Sequence, residues 1–197
     1  MNIANRFRGF LPVVIDIETG GFDAEKNAIL QIAAIQVTFQ NEQLIITNEW
    51  EQSVIPYPGS IVEEEALKVT GIALTKDGRD AEPESVVLSN MFNLIRKAMK
   101  KEGCRRAILV AHNAAFDQQF LKIAIARNKL KRDPFHPFTF IDTASLAAVA
   151  YGHTVLREAC LRAGIPFEQD KAHDALYDAN RTAELFCSIV NGWGQLS

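Results

Sequence analysis

The first quarter of the chain is built from runs of Val, Ile and Phe that are separated by short polar breaks. Runs of β-branched and aromatic residues between turn residues are typical of strands. The pattern predicts three consecutive strands, at residues 12–18, 28–39 and 43–54. Because only short breaks separate these strands, we expect an antiparallel meander.

Helices are predicted after this region. A short helix is expected at about 63–69, where Gly71 ends it, and a longer one at about 84–101, with Pro83 near its start and Gly103 just past its end. Proline is favoured in the first turn of a helix and glycine directly after the last turn. The apolar positions of the longer helix recur at helical spacing and form a buried stripe: Leu88, Met91, Phe92, Ile95 and Met99.

Strands and helices alternate through the remainder of the chain. We predict, in order, a strand at 107–111, a helix at about 116–130, a strand near 138–142, and helices over most of 143–163 and 173–191. This order indicates an α/β fold: a mixed β-sheet, with an antiparallel three-strand meander plus parallel strands, flanked by α-helices. No repeat or linker divides the sequence, so we expect a single domain over residues 1–197.

Composition narrows the class of protein. The chain has 197 residues, of which 48% are hydrophobic, and it contains no apolar run of the ~18 residues that a membrane span needs. The N-terminal stretch MNIANRFRGF lacks the apolar core of a signal peptide, so we expect a cytoplasmic protein. Cys104, Cys160 and Cys187 are widely spaced and form no CxxC pair, which favours core or surface thiols over a disulfide framework or a zinc site.

The formal net charge of −3 conceals a separation of charge along the chain. Acidic residues are concentrated between Glu63 and Glu84, whereas basic residues form three groups. One such group is usually a solvated surface, but three groups beside a phosphodiester-cleaving site would favour a nucleic-acid track. The groups are Arg6 and Arg8; Arg96, Lys97, Lys100, Lys101, Arg105 and Arg106; and Arg127, Lys129, Lys131 and Arg132.

Two carboxylates interrupt the apolar run VVIDIETGGF in the first predicted strand. Side chains alternate across a strand, so Asp16 and Glu18 share one face, with Cα atoms ~7 Å apart. Burying an ionised carboxylate is costly without a counter-charge, and no Lys or Arg lies between Gly9 and Lys26. The pair indicates either a strand end that emerges into solvent or a site for a divalent cation such as Mg²⁺ or Mn²⁺, which favour oxygen ligands.

Two later segments add acidic residues in comparable settings. In AILVAHNAAFDQQF, Asp117 follows a second buried strand at the opening of a helix, where the helix dipole alone would also favour an acid. In KAHDALYDANRTAELF, Asp178 lies beside the apolar stripe of the last predicted helix. Five residues turn a helix through ~140°, so His173 belongs on the loop or first turn that leads into it.

The segments DIE, HNAAFD and HDALYD resemble, in order, spacing and placement, the motifs of the DEDDh group of 3′–5′ exonucleases, which carry four acidic residues and a histidine. The resemblance implies a ribonuclease H-like fold with two Mg²⁺ or Mn²⁺ ions. It implies that Asp16, Glu18, Asp117 and Asp178 ligate the metals and that His173 is the general base. Such a site removes nucleotides singly from 3′ ends as 5′-monophosphates.

Within that group, nearly the whole chain is similar to the ribonuclease T family, including RFRGFLPVVIDIETGGF and LKRDPFHPFTFIDTASLA. The resemblance implies a homodimer that acts on the single-stranded 3′ ends of RNA, including tRNA, and of DNA. It implies that one protomer's basic residues serve the other's active site. Val69 departs from the family pattern, which has a stacking phenylalanine there, and this weakens the expected discrimination among terminal bases. The implied substrate-binding residues are Phe22, Glu65, Phe116, Phe138, Arg6, Arg8, Lys97, Lys101, Arg105, Arg106, Lys129, Lys131 and Arg132.

Other functions share parts of this pattern. DIET is similar to the start of haloacid dehalogenase-type phosphatases, but Glu18 replaces their second Asp and HNAAFD goes unexplained. A proofreading polymerase subunit or an oligoribonuclease would share all three motifs. A silent nucleic-acid-binding module is the non-enzymatic alternative, and the presence of all five catalytic residue types argues against it.

Overall fold

The computed structural model describes residues 2–74 and 79–193. In that part of the chain, one sheet is formed by β1 (Phe10–Thr19), β2 (Ile29–Gln40), β3 (Gln43–Ile55), β4 (Ala81–Pro83), β5 (Arg106–Ala111) and β6 (Phe135–Asp142). The spatial order is β4-β3-β2-β1-β5-β6. Strands β1, β2 and β3 are antiparallel neighbours, whereas β5 runs parallel to β1, β6 parallel to β5 and β4 parallel to β3. The predicted mixed sheet, a meander plus parallel strands, is confirmed.

Helices flank the sheet. They are α1 (Ile3–Arg6), α2 (Glu64–Thr70), α3 (Glu84–Lys101), α4 (Ala115–Arg127), α5 (Thr143–Tyr151), α6 (Leu156–Arg162) and α7 (Ala175–Trp193), with a 3₁₀ turn at Gln169–Lys171. Gly71 and Gly103 follow α2 and α3 in the left-handed region, each with φ 67°. Glycine adopts this conformation without a steric penalty, so both predicted helix ends are confirmed.

Several boundaries differ from the prediction. Strand β6 begins at Phe135 rather than 138, because β6 is an edge strand, where Pro137 is tolerated. The region 143–163 holds two helices, since Gly152 ends α5 with φ 70°. Helix α4 ends at Arg127, three residues before the predicted end. The elements α1 and β4 were not predicted because each is too short to show a periodic pattern.

The last helix lies close against the sheet. Ala175, Ala179 and Ala183 are fully buried on the face of α7 that joins the main core, followed by Phe186. Small side chains let a helix backbone approach a sheet closely. The first turn of α7 is therefore held near the end of β1, where the predicted carboxylates lie.

The three cysteines are free thiols: Cys160 and Cys187 are buried, and Cys104 is half-buried. This agrees with the prediction that they are core or surface thiols. Among the described helices, none is both long enough and apolar enough to cross a membrane.

Candidate active site

The site lies where the parallel strands β1 and β5 reach their carboxyl ends. Strand β1 pairs with β5 as far as Val14 and Val110, and then continues beside β2 alone. The strip of β1 that carries Asp16 and Glu18 is therefore not covered by a β5 neighbour. Asp117, in the first turn of α4, approaches this strip from the chain that follows β5.

Asp178 and His173 complete the cluster from the other side. Asp178 is in the first turn of α7, and its Oδ2 accepts a hydrogen bond from the backbone N–H of His173 at 3.0 Å. His173 lies in the preceding turn, as predicted, with a left-handed φ of 65°. Ligating atoms of Glu18, His173 and Asp178 all lie within 4.8 Å of one another. The structure thus brings together three of the five predicted catalytic residues directly.

The carboxylates of this cluster repel one another in a buried setting. Burial raises the pKa of Glu18 to about 8, and the neighbouring Asp178 and Asp117 add to the shift. Burial also raises the pKa of Asp117 to about 8, although backbone N–H groups, its own and that of Ile17, oppose this. Burial, and then the charges of Asp117, Glu18 and Asp178, raise the pKa of Asp16 well above its ordinary value. All four acids therefore act as one electrostatic unit.

Within residues 2–74 and 79–193, no Lys or Arg neutralises this unit, although the neighbouring His173 opposes the burial that raises the pKa of Asp178. None of the ion pairs among the described residues involves Asp16, Glu18, Asp117 or Asp178. The Oδ1 atom of Asp178 is buried and has no hydrogen-bond partner among the residues that the structure describes. Carboxylate oxygens are the ligands that hard divalent cations favour. The donor set and the unpartnered oxygen therefore fit a divalent metal ion.

A groove of about 270 Å³ opens beside the cluster. One wall is helix α2, with Glu65 and Val69, and the other includes Phe22 and Phe116. Phe22 is 87% exposed, and its ring stands edge-on to that of Phe116 with 6.3 Å between the ring centres. His173 lines the end of the groove next to the carboxylates. An exposed aromatic side chain at the mouth of a groove is available for stacking on a planar ligand.

Phe138 does not line this groove. It is 81% exposed on β6, and its ring lies 6.0 Å from that of His136. His136 lines a different depression, together with Arg6, Arg8 and Arg105. The substrate-binding role of Phe138 therefore stays a prediction, and the structure places this residue beside the basic surface.

The basic residues predicted to bind substrate are also distant from the carboxylates of their own chain. They precede β1, β5 and β6, begin β5 in the case of Arg106, or lie on the last turns of α3, whereas the carboxylates lie at the opposite end of β1. From Phe10 to Glu18, β1 is ~26 Å long at ~3.3 Å per residue. These residues lie at the starting ends of the three strands or at the end of α3, and we call them the basic edge: Arg6, Arg8, Lys97, Lys101, Arg105, Arg106, Lys129, Lys131 and Arg132.

Asp142 is a residue of the site region that the sequence analysis missed. Its Oδ1 accepts hydrogen bonds from the backbone N–H groups of Asn113 and Ala114, at 2.9 and 3.3 Å, and its side chain also caps α5. Asp142 thereby fixes the turn before α4, the helix that carries Asp117. An Asp between a strand and a helix is a recognisable N-cap signal, so the capping of α5 could have been predicted. The hydrogen bonds of Asp142 to the turn before α4 could not.

Comparison with known proteins places this chain in a family. The sequence model of the RNase_T family, described as exonuclease, matches residues 13–186. Ribonuclease T from Hahella chejuensis is 51% identical over 98% of this chain and 89% of that protein. Ribonuclease T from Marinobacter nauticus is 50% identical over 98% of this chain and 88% of that protein.

Solved exonuclease structures have a similar fold. E. coli exonuclease I in complex with single-stranded DNA matches with a TM-score of 0.71 and 20% identity, over 95% of this chain and 42% of that chain. The nuclease domain of 3′hExo, a DEDDh family member bound to rAMP, matches with a TM-score of 0.72 and 19% identity, over 92% of each chain. The expected DEDDh exonuclease fold, of the ribonuclease H-like type, is confirmed.

The raised pKa values predict how stability depends on pH in the metal-free protein. A folded-state pKa above the unfolded value means that the fold is favoured while the group is protonated, and that this stability is lost as pH rises towards about 8. Asp16→Asn removes one repelling charge, so it should raise the free energy of unfolding at pH 8 by at least ~1 kcal/mol, and much less at pH 5. Urea unfolding in EDTA measures both values.

The control is Asp170→Asn, at an exposed position, and it should leave the free energy of unfolding nearly unchanged at both pH values. An Asp16→Asn variant that loses the same stability at pH 5 and pH 8 would contradict the proposed electrostatic repulsion.

Proposed function

This chain belongs to the ribonuclease T family of 3′–5′ exonucleases, and on that premise we propose that it removes nucleotides one at a time from the 3′ ends of single-stranded RNA. We also propose that it accepts single-stranded DNA and releases 5′-monophosphates. The observation that carries the proposal is the cluster of Glu18, His173 and Asp178, with Asp16 and Asp117 beside it, next to an open groove lined by Phe22 and Phe116.

The carboxylates would hold two divalent cations, Mg²⁺ or Mn²⁺. Asp16, Glu18, Asp117 and Asp178 present the oxygen donors, and the unpartnered Oδ1 of Asp178 is available for ligation. When bound, such ions supply an activated water and neutralise the charge that develops on the phosphate and on the leaving 3′ oxygen. The other two roles, accepting the proton of the water and binding the terminal bases, are those of side chains of the protein.

We propose that His173 takes the proton of the attacking water. Histidine is the side chain that most often transfers protons as a general base in catalysis. The backbone N–H of His173 is anchored on Asp178, which keeps the ring next to the carboxylates, while its position in a turn leaves the ring free to adjust to a bound strand. We therefore propose His173 as the general base.

The groove would hold the terminal bases. Stacking of a base on an aromatic ring contributes ~1–3 kcal/mol and tolerates any base, which suits an enzyme that advances through different sequences. Phe22 and Phe116 offer such surfaces, and the carboxylate of Glu65 can accept a hydrogen bond from a base edge. The opposing wall at Val69 is apolar but has no aromatic ring.

The cellular role follows from the family. We propose that the chain works as a single exonuclease domain in the cytoplasm on tRNA and other stable RNA 3′ ends. Support comes from the three free thiols, which suit a reducing compartment. Sequence identity of 50–51% to ribonuclease T proteins over 98% of the chain favours this role over polymerase proofreading or oligoribonuclease activity.

The proposed reaction predicts a product ladder. With 5′-labelled single-stranded RNA and Mg²⁺, we expect shortening by one nucleotide at a time from the 3′ end, and none in EDTA. Asp16→Asn should abolish hydrolysis, whereas His173→Ala should lower kcat by ~100-fold or more with little change in KM. Cleavage of circular RNA, or wild-type turnover by His173→Ala, would contradict these assignments.

The wall formed by Val69 predicts a change in specificity. Val69→Phe adds a ring to the groove, so rates on RNAs that end in different bases should diverge by several-fold more than in the wild type. Val149 is also an exposed helical valine but lies outside the groove, so Val149→Phe is a matched control. Unchanged relative rates on the four terminal nucleotides would refute this view of the groove.

The separation between the catalytic cluster and the basic edge supports a dimer. The cluster alone repels a polyanion, and affinity for a single strand depends on a basic track beyond the reacting end. In one protomer the basic edge lies at the far end of β1, so we propose a two-fold homodimer in which this edge serves the partner's active site.

Mixing two inactive proteins tests this arrangement. One carries Asp16→Asn, and the other carries Arg6, Arg8, Lys129 and Arg132 changed to Ala. A mixed dimer pairs one intact catalytic cluster with one intact basic edge, so activity should reappear after subunit exchange. No recovery despite exchange verified by mass measurement would contradict the trans arrangement.

A further inference from the structure

Two separate segments carry the walls of the groove. The loop at 20–27 follows β1 and carries Phe22, and the segment at 61–63 leads into α2, which carries Glu65 and Val69. Outside the regular sheet, Asn27 and Ile61 form an isolated parallel bridge between the two segments. The relative position of the two walls therefore depends on what joins these segments.

The side chain of Asn27 joins them. It is only 1% exposed, and its Nδ2 donates towards the carbonyl oxygens of Gly20 and Ile61, at 3.1 and 3.2 Å, and towards Oε1 of Glu63 at 3.1 Å. Its Oδ1 accepts a hydrogen bond from the backbone N–H of Asp23 at 2.8 Å. One amide group thus ties both ends of the Phe22 loop to the start of α2.

Backbone hydrogen bonds run alongside this side chain. The backbone N–H of Glu63 donates to the carbonyl oxygen of Gly20 at 2.8 Å, and the N–H of Ile61 donates to the carbonyl oxygen of Lys26 at 2.8 Å. The N–H of Ala28 donates to Ile61 at 3.3 Å. These bonds report directly on whether the two segments stay together.

The loop passes immediately over the Asn27–Glu63 pair. Gly21 has φ 151°, and a Cβ atom added there would lie 2.5 Å from both Nδ2 of Asn27 and Oε1 of Glu63. Phe22 is the next residue, and its exposed ring projects from this tightly packed point. A shift of Asn27 or Glu63 would therefore be transmitted to Phe22.

We propose that Asn27 is a positioning residue that sets the width of the groove between Phe22 and helix α2, and thereby controls binding of the terminal base. Asn27 does not line the groove, and its side-chain hydrogen bonds go to Gly20, Asp23, Ile61 and Glu63 rather than to the catalytic residues. The inference rests on the proposed exonuclease function and adds to it a structural determinant of substrate affinity.

The chemistry of the site requires an amide. Asp has almost the same shape as Asn, and in Asn27→Asp one carboxylate oxygen could still accept from Asp23. The other oxygen, however, would face two carbonyl oxygens and the carboxylate of Glu63, all of which are acceptors. Such unsatisfied and repelling groups push the two segments apart. Glu63→Gln in the same chain restores a donor opposite Asp at position 27.

The test compares Asn27→Asp with a matched control. Asn191 also uses both amide atoms, since its Oδ1 accepts from the N–H of Leu44 at 2.7 Å and its Nδ2 donates to the Leu44 carbonyl at 3.0 Å. This pair ties α7 to β3 and lies outside the groove. Asn191→Asp therefore reports the general cost of the same substitution.

We expect Asn27→Asp to raise KM for single-stranded RNA by about tenfold while kcat stays within about twofold of wild type. Its relative rates on the four terminal bases should also change. Hydrogen exchange should accelerate at the amides of Ala28, Ile61 and Glu63. Asn27→Asp/Glu63→Gln should recover much of both effects, and Asn191→Asp should keep the wild-type KM and base preference.

Three results would overturn the inference: an unchanged KM in Asn27→Asp, an equal rise in KM in Asn191→Asp, or no recovery of KM in the double variant. Failure of the proposed function would look different, because the wild-type protein itself would then leave RNA intact in the presence of Mg²⁺.

Discussion

The structure depends on keeping four carboxylates together at one buried end of the sheet. Asp16, Glu18, Asp117 and Asp178 raise one another's pKa values or share the burial that does so, and none forms an ion pair within the described residues. Such an arrangement opposes folding unless another charge compensates for it. We therefore expect divalent cations to stabilise the protein when these carboxylates are ionised.

The fold brings the carboxylates together from three distant parts of the chain. Strand β1 supplies two of them, the turn after β5 directs α4 so that Asp117 faces β1, and the alanine face of α7 brings Asp178 close. Asp142 and Asn27 then fix the turns at the periphery of the site. The acids themselves contribute little to cohesion, so packing and these peripheral hydrogen bonds hold the geometry.

Much of this could be predicted from the sequence because the signals are local. The alternation in VVIDIETGGF places two carboxylates on one face, and Gly71 and Gly103 mark helix ends. The roles of Asn27 and Asp142 could not be predicted in this way. Asn27 binds Glu63 across 36 positions of the chain, and no local pattern records that contact.

The position of Phe138 illustrates another limit. Its ring is exposed, but sequence spacing does not tell which side of the sheet edge an exposed ring will occupy. Only the pairing of β6 beside β5 places it next to His136 and the basic edge, away from the groove of its own chain. Contacts set by strand pairing leave no periodic signal in a single sequence.

The raised pKa values of Glu18 and Asp117 imply that the acidic cluster holds protons until a divalent cation replaces them. Calorimetric titration of Mg²⁺ into the metal-free protein at pH 7, in two buffers with different ionisation enthalpies, measures this exchange directly. Because Glu18 and Asp117 have pKa values raised to about 8, we expect net proton release on binding at pH 7, and much less at pH 9. Mg²⁺ binding with identical heats in the two buffers at pH 7 would contradict the account.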